Sequence, residues 1–408
     1  MRLLSVAVMA ALLPAVPLQQ RAGTTYYVDS RAGSDNASGT SATAPWKSLD
    51  KVNAADLKPG DAISFKRGSS FDGELKLSAK GTAARPIVAQ AYGKGPLAKI
   101  TGECVLVDGS HWRISGLRAT GCRWAGFEVA GDGNVLSEVQ ADKNIAGVWV
   151  TPSGTHNTIR DSKLTGNNRM SVDDDTPDND SGAFGVLLNG DDNLVTGNTI
   201  TGSYASSHDY STDGAAVEVF NGDRNLVLHN IARNNETFTE LGAQKGRTAT
   251  GNVFAFNVVT STRKRGSFLV TRGSGHVVGP VLGTIAVQNS VSLPARDTIG
   301  WSCGDGCGPS ILKLRNNVIS VGGQAGYEDG KGADEAGSVY QARSFKFKLG
   351  PRSVKADPRF VSTSDLHLRS GSPAIGRGVS LSPDWYGGAK SSLSKALPST
   401  PDAGAYQH

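Results

Sequence analysis

The feature that most constrains the fold is a set of short, similar segments that recurs along the middle of the chain. Each segment is an apolar, strand-like run followed about ten residues later by Asn and a second apolar run. The first runs are residues 126–129, 147–150, 185–188, 216–219, 238–241 and 267–270. They begin 21, 38, 31, 22 and 29 residues apart, and weaker copies surround Asn289 and Asn317. A coil of roughly 21 residues with loop insertions explains these spacings, and repeats of this size predict a solenoid.

The predicted solenoid is an all-β, right-handed parallel β-helix with three short strands per coil. Inward Val, Ile and Leu would stack into a continuous core, and Asn side chains at a repeated corner would bond one another from coil to coil. A β-sandwich would not repeat the Asn corners. The chain has 51 Gly in 408 residues without a period of three, which excludes collagen and fits many turns.

Two further features bear on location and partners. Arg2 and the uncharged apolar run over residues 3–13 predict a secretory signal peptide over residues 1–22, because the run is too short to span a bilayer. We therefore expect a protein secreted to the periplasm or the outside, without membrane insertion. The formal net charge is only +5, and the longest basic run is residues 263–265, which argues against nucleic-acid binding.

Residues 23–408 are predicted to form a single β-helix domain. An N-terminal module covers about 24–102, central coils about 103–320 and a C-terminal closing segment about 321–408. Helical periodicity is confined to residues 45–53, where a short capping helix would end before Pro59.

The four cysteines fit an oxidising compartment. Cys104 and Cys122 are 18 residues apart, and Cys303 and Cys307 are four apart in a glycine-rich loop. We expect these two local disulfides. A zinc site would need all four thiols to converge, and the spacing is weak support for it.

Residues 165–181 and 202–213 interrupt the repeat at the same coil position. They should therefore project from one side of the solenoid and form the wall of a cleft.

Several motifs near the two ends of the chain support a family resemblance. Residues 25–29, 45–49, 59–65 and 81–87 resemble the N-terminal module of secreted β-helix carbohydrate-active enzymes with a pectin-lyase-like fold, and residues 357–361, 365–368, 371–374 and 404–406 resemble their C-terminal module. The resemblance implies a polysaccharide or oligosaccharide substrate and a monomer. It does not select a reaction, because lyases and glycoside hydrolases share this frame.

Four acidic residues in the middle coils are the candidate catalytic residues. Glu218 and Glu240 occupy the same position in consecutive coils, so their side chains should lie about 4.8 Å apart. Asp213 and Glu236 repeat this pattern just before each strand. Paired carboxylates are what glycoside hydrolysis requires, one as the acid and one as nucleophile or base. We expect Asp213 and Glu236 to react and Glu218 and Glu240 to position or tune them, without a cofactor.

The acidic residues also carry a partial resemblance to polygalacturonases. Residues 211–214, Ser-Thr-Asp-Gly, are similar to the Asn-Thr-Asp-Gly motif of that family, and Asn235-Glu236 falls where that family has an Asp-Asp pair. The later Gly-His-Gly and Arg-x-Lys motifs have no clear counterpart, so only the carboxylate arrangement carries over.

A polysaccharide lyase is the alternative. Glu240, Lys245 and Arg272 resemble the carboxylate, Lys and Arg series of chondroitinase B and related alginate lyases. Such an enzyme would act by β-elimination on a uronic-acid polymer such as alginate, pectate or a glycosaminoglycan, with Ca²⁺ at Glu218 and Glu240. A non-catalytic glycan-binding solenoid is the third possibility.

Further residues are candidates for substrate contact: Lys245, Arg272, His208, Trp149 and Trp301. The two Trp rings could stack on a sugar. The run of Asp residues over 173–180 is predicted to be a solvated loop, since it lacks the spacing of a calcium loop.

Overall fold

The structure is a computed structural model that describes residues 23–387 and 397–408. The predicted signal peptide, residues 1–22, lies outside the described residues, so secretion stays a prediction. The described residues are organised mainly as short strands. Their bounds in chain order are β1 Thr25–Val28, β2 Ala62–Lys66, β3 Ser70–Lys76, β4 Ile87–Tyr92, β5 Ala98–Val107, β6 Trp112–Ser115, β7 Leu117–Cys122, β8 Ala125–Val129, β9 Val135–Ser137, β10 Gln140–Asp142, β11 Ala146–Val150, β12 Thr158–Arg160, β13 Lys163–Thr165, β14 Met170–Val172, β15 Ser181–Gly182, β16 Phe184–Leu188, β17 Leu194–Thr196, β18 Thr199–Thr201, β19 Ala205–Ser207, β20 Ser211–Asp213, β21 Ala215–Phe220, β22 Leu226–Leu228, β23 Ile231–Arg233, β24 Thr237–Gly242, β25 Val253–Ala255, β26 Val258–Thr260, β27 Arg265–Arg272, β28 Thr284–Val287, β29 Ser290–Leu293, β30 Asp297–Gly304, β31 Leu312–Arg315, β32 Val318–Val321, β33 Gln324–Glu328, β34 Asp334–Ala336, β35 Val339–Gln341, β36 Ser344–Lys346 and β37 Val354–Lys355.

Apart from β14, β15, β19 and β20, these strands stack in parallel into three faces, as the sequence predicts. Face A contains β1, β2, β4, β6, β9, β12, β17, β22, β25, β28, β31 and β34. Face B contains β7, β10, β13, β18, β23, β26, β29, β32, β35 and β37, and face C contains β8, β11, β16, β21, β24, β27, β30, β33 and β36. The long strands β3 and β5 run through faces B and C and join them. Each central coil therefore visits face C, then A, then B, before the chain enters the next coil.

The core lies inside the three faces and continues from coil to coil. On face C, Val148, Val186 and Val217 occupy one register position in successive strands and are fully buried. Because neighbouring residues of a strand point to opposite sides, the residues after them point outward. This alternation decides which side chains of face C can reach a substrate.

Asparagine ladders hold two of the three corners. At the corner from face C to face A, the backbone N–H of each Asn donates to the side-chain Oδ1 of the next at 2.9 Å, through Asn134, Asn157, Asn193, Asn225 and Asn252. At the corner from A to B, the same contact at 3.0 Å links Asn198, Asn230, Asn257, Asn289 and Asn317. These residues are fully buried or nearly so, and their mutual bonds confirm the role predicted from the repeat.

One α-helix lies in the described residues, at the predicted place. It is α1, Leu49–Asn53, and its N-cap Ser48 side chain accepts from the N–H of Lys51. Leu49 and Val52 are buried, and the Asn53 side-chain amide donates to the Glu74 carbonyl in β3 at 2.8 Å. Its capping role stays a prediction. A 3₁₀ helix follows near the end of the chain, Pro383–Tyr386.

Both predicted disulfides are present. Cys104 pairs with Cys122 at a Cα–Cα distance of 5.6 Å, and Cys303 pairs with Cys307 at 5.4 Å. The described part of the chain has no helix long and apolar enough to cross a membrane.

Candidate active site

The two insertions form one wall beside face C. Each is an antiparallel hairpin at the corner from face B to face C, β14 with β15 and β19 with β20. The Asp180 carboxylate of the first hairpin accepts from the Ser207 hydroxyl at 2.7 Å and from the Asp209 N–H at 2.9 Å. In return, the Asp209 carboxylate accepts from the Asn179 N–H at 3.0 Å. The insertions therefore project from the same side, as predicted, and are bonded to each other.

The candidate carboxylates lie on an outward row of face C beside this wall. Register places Glu218 directly opposite Glu240 on the adjacent strand, which agrees with the predicted pairing. The same row continues through Glu128, Trp149 and Leu187 on one side and Val270, Ser302 and Tyr327 on the other. Glu218 and Glu240 thus occupy the middle of a long outward-facing strip.

Asp213 ends the second hairpin and faces this strip. It is the last residue of β20, and the N–H of Gly214 donates to its Oδ1 at 2.7 Å. Gly214 has φ of +139°, and a Cβ there would lie within 3 Å of three backbone atoms, so the sharp turn onto face C requires glycine. Burial, together with the charges of Glu240 and Glu236, raises the pKa of Asp213 to about 7. Near neutral pH this carboxyl can hold a proton.

Glu218 also favours its protonated form. Burial first, and then the charges of Glu240 and Asp213, raise the pKa of Glu218 well above its ordinary value, against the opposing charge of Arg272. Two of the four candidate acids can therefore carry protons under conditions in which ordinary carboxyls are ionised.

The other two carboxylates are paired with arginines. The Arg272 guanidinium donates to the Glu240 carboxylate from the end of β27. Arg263 pairs with Glu236 at 3.0 Å, and its guanidinium stacks on the Tyr204 ring at 3.3 Å from the centroid. The Glu236 side chain is only 11% exposed, compared with 33% for Glu240, so Glu240 is the more accessible partner for a substrate.

Two of the predicted contact residues lie on the elements around the candidate carboxylates, one in the wall and one on the outward row. His208 lies in the turn of the second hairpin, with its ring nitrogens 3.6 Å from carboxylate oxygens of Asp175 and Asp209. Trp149 lies on the outward row, where its indole N–H donates to the Asn189 side chain at 2.6 Å. The Trp149 ring packs edge-on against Trp124 at 5.6 Å between centroids. Arg272, by contrast, binds directly to one of the candidate carboxylates, Glu240.

Two other predicted contacts do not reach the site. The prediction for Trp301 is wrong: it lies inside β30, points into the core and is fully buried. Lys245 is exposed in the loop after β24 and forms no ion pair with the described residues. That loop is tied by the Gln244 N–H to Asn221 at 2.7 Å, at the corner opposite the hairpins.

Sequence reasoning missed Arg263 and the two tyrosines of the second hairpin region, Tyr204 and Tyr210. Register pairs Thr237 with Ser267, which places Gly266 and not Arg263 level with Glu236, so alignment of these strands does not indicate Arg263. Tyr204 and Tyr210 belong to an insertion without a counterpart in other coils, and no repeat could locate them. Both rings are 37% exposed.

The acidic side chains of the first hairpin accept hydrogen bonds from other residues of the hairpins. Asp174 accepts from the Thr176 N–H at 2.9 Å and from the Asn179 side chain at 3.0 Å. In the part of the chain that the structure describes, no group of three or more His, Cys, Asp or Glu is arranged to hold a metal ion.

Comparisons with known proteins agree with this architecture. Residues 103–281 match a family model described as "Right handed beta helix region". A 95-residue stretch is 46% identical to lacto-N-biosidase from Bifidobacterium longum subsp. longum, which covers 22% of this chain and 6% of that protein. The chain therefore matches only a small part of that curated relative.

Solved structures give the same fold. A GH136 lacto-N-biosidase from Eubacterium ramulus superimposes with a TM-score of 0.59 at 16% identity, over 82% of this chain and 67% of that chain. Pectate lyase Pel9A superimposes with a TM-score of 0.57 at 17% identity, over 95% and 97%. The right-handed parallel β-helix fold that the resemblance implies is confirmed.

Proposed function

We propose that this protein is a glycoside hydrolase that cleaves glycosidic bonds in a polysaccharide or oligosaccharide, with Asp213 as the acid and Glu240 as its carboxylate partner. The observation that carries the proposal is the contrast between these two groups. Asp213 has a pKa of about 7, whereas Glu240 is paired with Arg272 on the same outward surface. Carboxyl groups whose environments differ in this way supply the acid and the nucleophile or base of glycoside hydrolysis.

The reaction would begin with Asp213, which donates its proton to the glycosidic oxygen as the bond to the anomeric carbon breaks. Glu240 then either attacks the anomeric carbon and forms a glycosyl-enzyme, or removes a proton from a water that attacks it. In the first case Asp213, now ionised, activates the water that releases the sugar. Either route ends with a new hemiacetal and a free hydroxyl.

Glu218 and Glu236 have supporting roles in this proposal. Glu218 lies opposite Glu240 on the neighbouring strand, and the charges of Glu240 and Asp213 favour its protonated form. Glu236 follows Asn235, whose side-chain Oδ1 accepts from the Ser203 N–H at 2.8 Å, and it is closed off by Arg263. We therefore assign the reacting pair to Asp213 and Glu240 rather than to Asp213 and Glu236, with Glu236 as a positioning residue.

The match to lacto-N-biosidase supports a hydrolase, because that relative carries the name of a glycosidase. A lyase remains the alternative outcome. Two observations favour hydrolysis: Lys245, the predicted base, lies at the opposite corner from the hairpins, and the charge of Glu240 is balanced by an arginine.

The test is to incubate the purified protein with neutral and uronic-acid oligosaccharides and to analyse the products. We expect new reducing ends without a C=C bond, and no product from Asp213→Asn or Glu240→Gln. Asp108→Asn changes an exposed carboxylate at the end of β5 and serves as the matched control. Products that absorb near the ultraviolet edge, with activity lost on addition of a chelator or in Lys245→Ala, would contradict the proposal and support the lyase.

A further inference from the structure

The outward row of face C continues beyond Glu240 over two small side chains, Val270 and Ser302, and we call this stretch between larger side chains the depression. In register, the row runs from Glu240 through Val270 and Ser302 to Tyr327, which lies three strands away. At about 4.8 Å per strand this is a distance of roughly 14 Å. Val270 and Ser302 are small and half-buried, whereas the Tyr327 side chain rises from the surface and is 39% exposed.

The Tyr327 ring leans over β30, and its hydroxyl donates to the Asp329 carboxylate at 3.3 Å. A Cβ built on Gly304 would lie 3.6 Å from the Tyr327 ring carbon Cε1, so the ring covers this glycine. Gly304 pairs in register with Arg272, which binds Glu240. The depression is therefore bounded at one end by the Arg272–Glu240 pair and at the other by an aromatic ring.

A histidine and a carboxylate line the side of the depression. The Val278 N–H donates to His276 Nδ1 at 3.2 Å, which leaves the proton of the neutral ring on Nε2. Burial and the charge of Arg272 lower the pKa of His276. The Nε2 atom faces the Asp305 carboxylate at 3.8 Å, and the Asp305 side chain is 59% exposed.

The backbone around Asp305 is fixed. Asp305 is the central residue of the loop that the Cys303–Cys307 disulfide closes. The Asp329 carboxylate accepts from the N–H groups of Asp305 at 3.0 Å and Gly306 at 2.6 Å, and the Gly275 N–H donates to the Asp305 carbonyl at 2.7 Å. An exposed acceptor on so constrained a loop is suited to binding a ligand with little loss of conformational entropy.

We propose that this depression is a sugar-binding subsite for one neutral pyranose unit of the substrate. Its C–H face would pack on the Tyr327 ring, and its hydroxyls would donate to Asp305 and accept from His276 Nε2. A uronic acid would place a carboxylate against Asp305 and be disfavoured. The proposal rests on the proposed function and extends it to the class of sugar.

The test measures binding rather than catalysis, in the Asp213→Asn background, by isothermal titration with neutral and uronic-acid oligosaccharides of equal length. Addition of Tyr327→Ala should weaken binding of the neutral ligand about fivefold to tenfold, and Asp305→Asn about tenfold. Tyr327→Phe keeps the ring and should bind within about twofold of the parent. Asn tolerates the left-handed φ of +59° at position 305, so the loop should be retained.

The outcomes separate this inference from the proposed function. A neutral ligand that loses affinity in both variants supports the subsite, even if the wild-type protein hydrolyses nothing in the panel. Unchanged affinity in Tyr327→Ala and Asp305→Asn overturns the subsite, even if hydrolysis is observed. Preferential binding of the uronic-acid ligand, or no binding of any neutral oligosaccharide by the parent, also overturns it.

Discussion

At the scale of single residues, the proton on Asp213 is the property on which the proposed chemistry depends. Its carboxyl is enclosed by the turn onto face C and by other acids, and the Gly214 N–H offsets only part of that effect. Glu236 is a second acid nearby, and it is held in place by the preceding Asn235 and by its ion pair with Arg263. Four acidic side chains can thus lie close together, because two of them are paired with arginines and the other two favour their protonated forms.

The first prediction concerns the pH dependence of turnover. Because the pKa of Asp213 is raised to about 7 and the acid must be protonated, kcat/KM should fall as pH rises through about 7. The measurement is a pH–rate profile with a neutral oligosaccharide, with Asp108→Asn as control. Glu236→Gln should lower the pH at which kcat/KM falls, provided that the variant keeps some activity. If that pH is unchanged, Glu236 does not contribute to the raised pKa of Asp213.

The second prediction is that Asp213→Asn raises stability while it removes activity. The folded protein holds this proton up to about pH 7, whereas the unfolded chain releases it near the ordinary value of 3.8. Ionisation of Asp213 should therefore cost the wild type stability as pH rises between these values, and the variant lacks this contribution, so that above pH 7 the variant is more stable by up to roughly 4 kcal/mol. Turnover should fall by about a thousandfold or more.

Thermal unfolding of both proteins at pH 4 and pH 8 tests this directly. The difference in Tm should be small at pH 4 and large at pH 8. A difference that does not depend on pH would mean that the Asp213 carboxyl is not held in its protonated form.

At the scale of elements, the two hairpins act as one wall because Asp180 bonds both. Asp180→Ala removes the bonds to the Ser207 hydroxyl and the Asp209 N–H. The wall should loosen, and kcat/KM should fall about tenfold or more while the core strands stay folded. Kinetics together with far-ultraviolet circular dichroism measure this. Asp178→Ala, in the same hairpin, is the control, and equal effects of the two changes would contradict the role of Asp180.

The asparagine ladder gives a second prediction at this scale. The Asn230 side-chain amide donates to the Val195 carbonyl at 2.9 Å and to Asn257 at 3.1 Å, and Asn230 Oδ1 accepts from Asn198. Asn230→Ala leaves these buried groups unpaired and should lower the free energy of unfolding by about 2–4 kcal/mol. Denaturant unfolding checks this against Asn36→Ala, an exposed control that should change little. A similar loss of unfolding free energy in both variants would contradict a role of the asparagine ladder in stability.

The elements also explain what the sequence could and could not predict. The repeat of apolar runs and Asn located the strands, the corners and the opposition of Glu218 and Glu240, because register in a stacked coil follows from alignment. Trp301 was misplaced because its flanking glycines, Gly300 and Gly304, are typical of a loop, yet they lie within β30. The contact of Arg263 with Glu236 depends on how a turn folds across coils, and local sequence does not encode that.

At the scale of the whole molecule, the stacked faces predict an elongated particle. Face A has twelve strands, and eleven steps of about 4.8 Å give a stack of roughly 53 Å before the ends are added. Small-angle scattering should give an asymmetric distance distribution and, as predicted from the sequence, the mass of a monomer. A compact, symmetric distribution or a multiple of 42.5 kDa would contradict this.

The position of the hairpins has a consequence for how such a molecule can change. Both enter at the corner between faces B and C, where added residues leave the register of every strand intact. An insertion placed on the next coil would be displaced by about 4.8 Å along the outward row of face C. The length of each insertion, and the coil that carries it, therefore set the size of the ligand that can bind. They do so without any change to the residues that react.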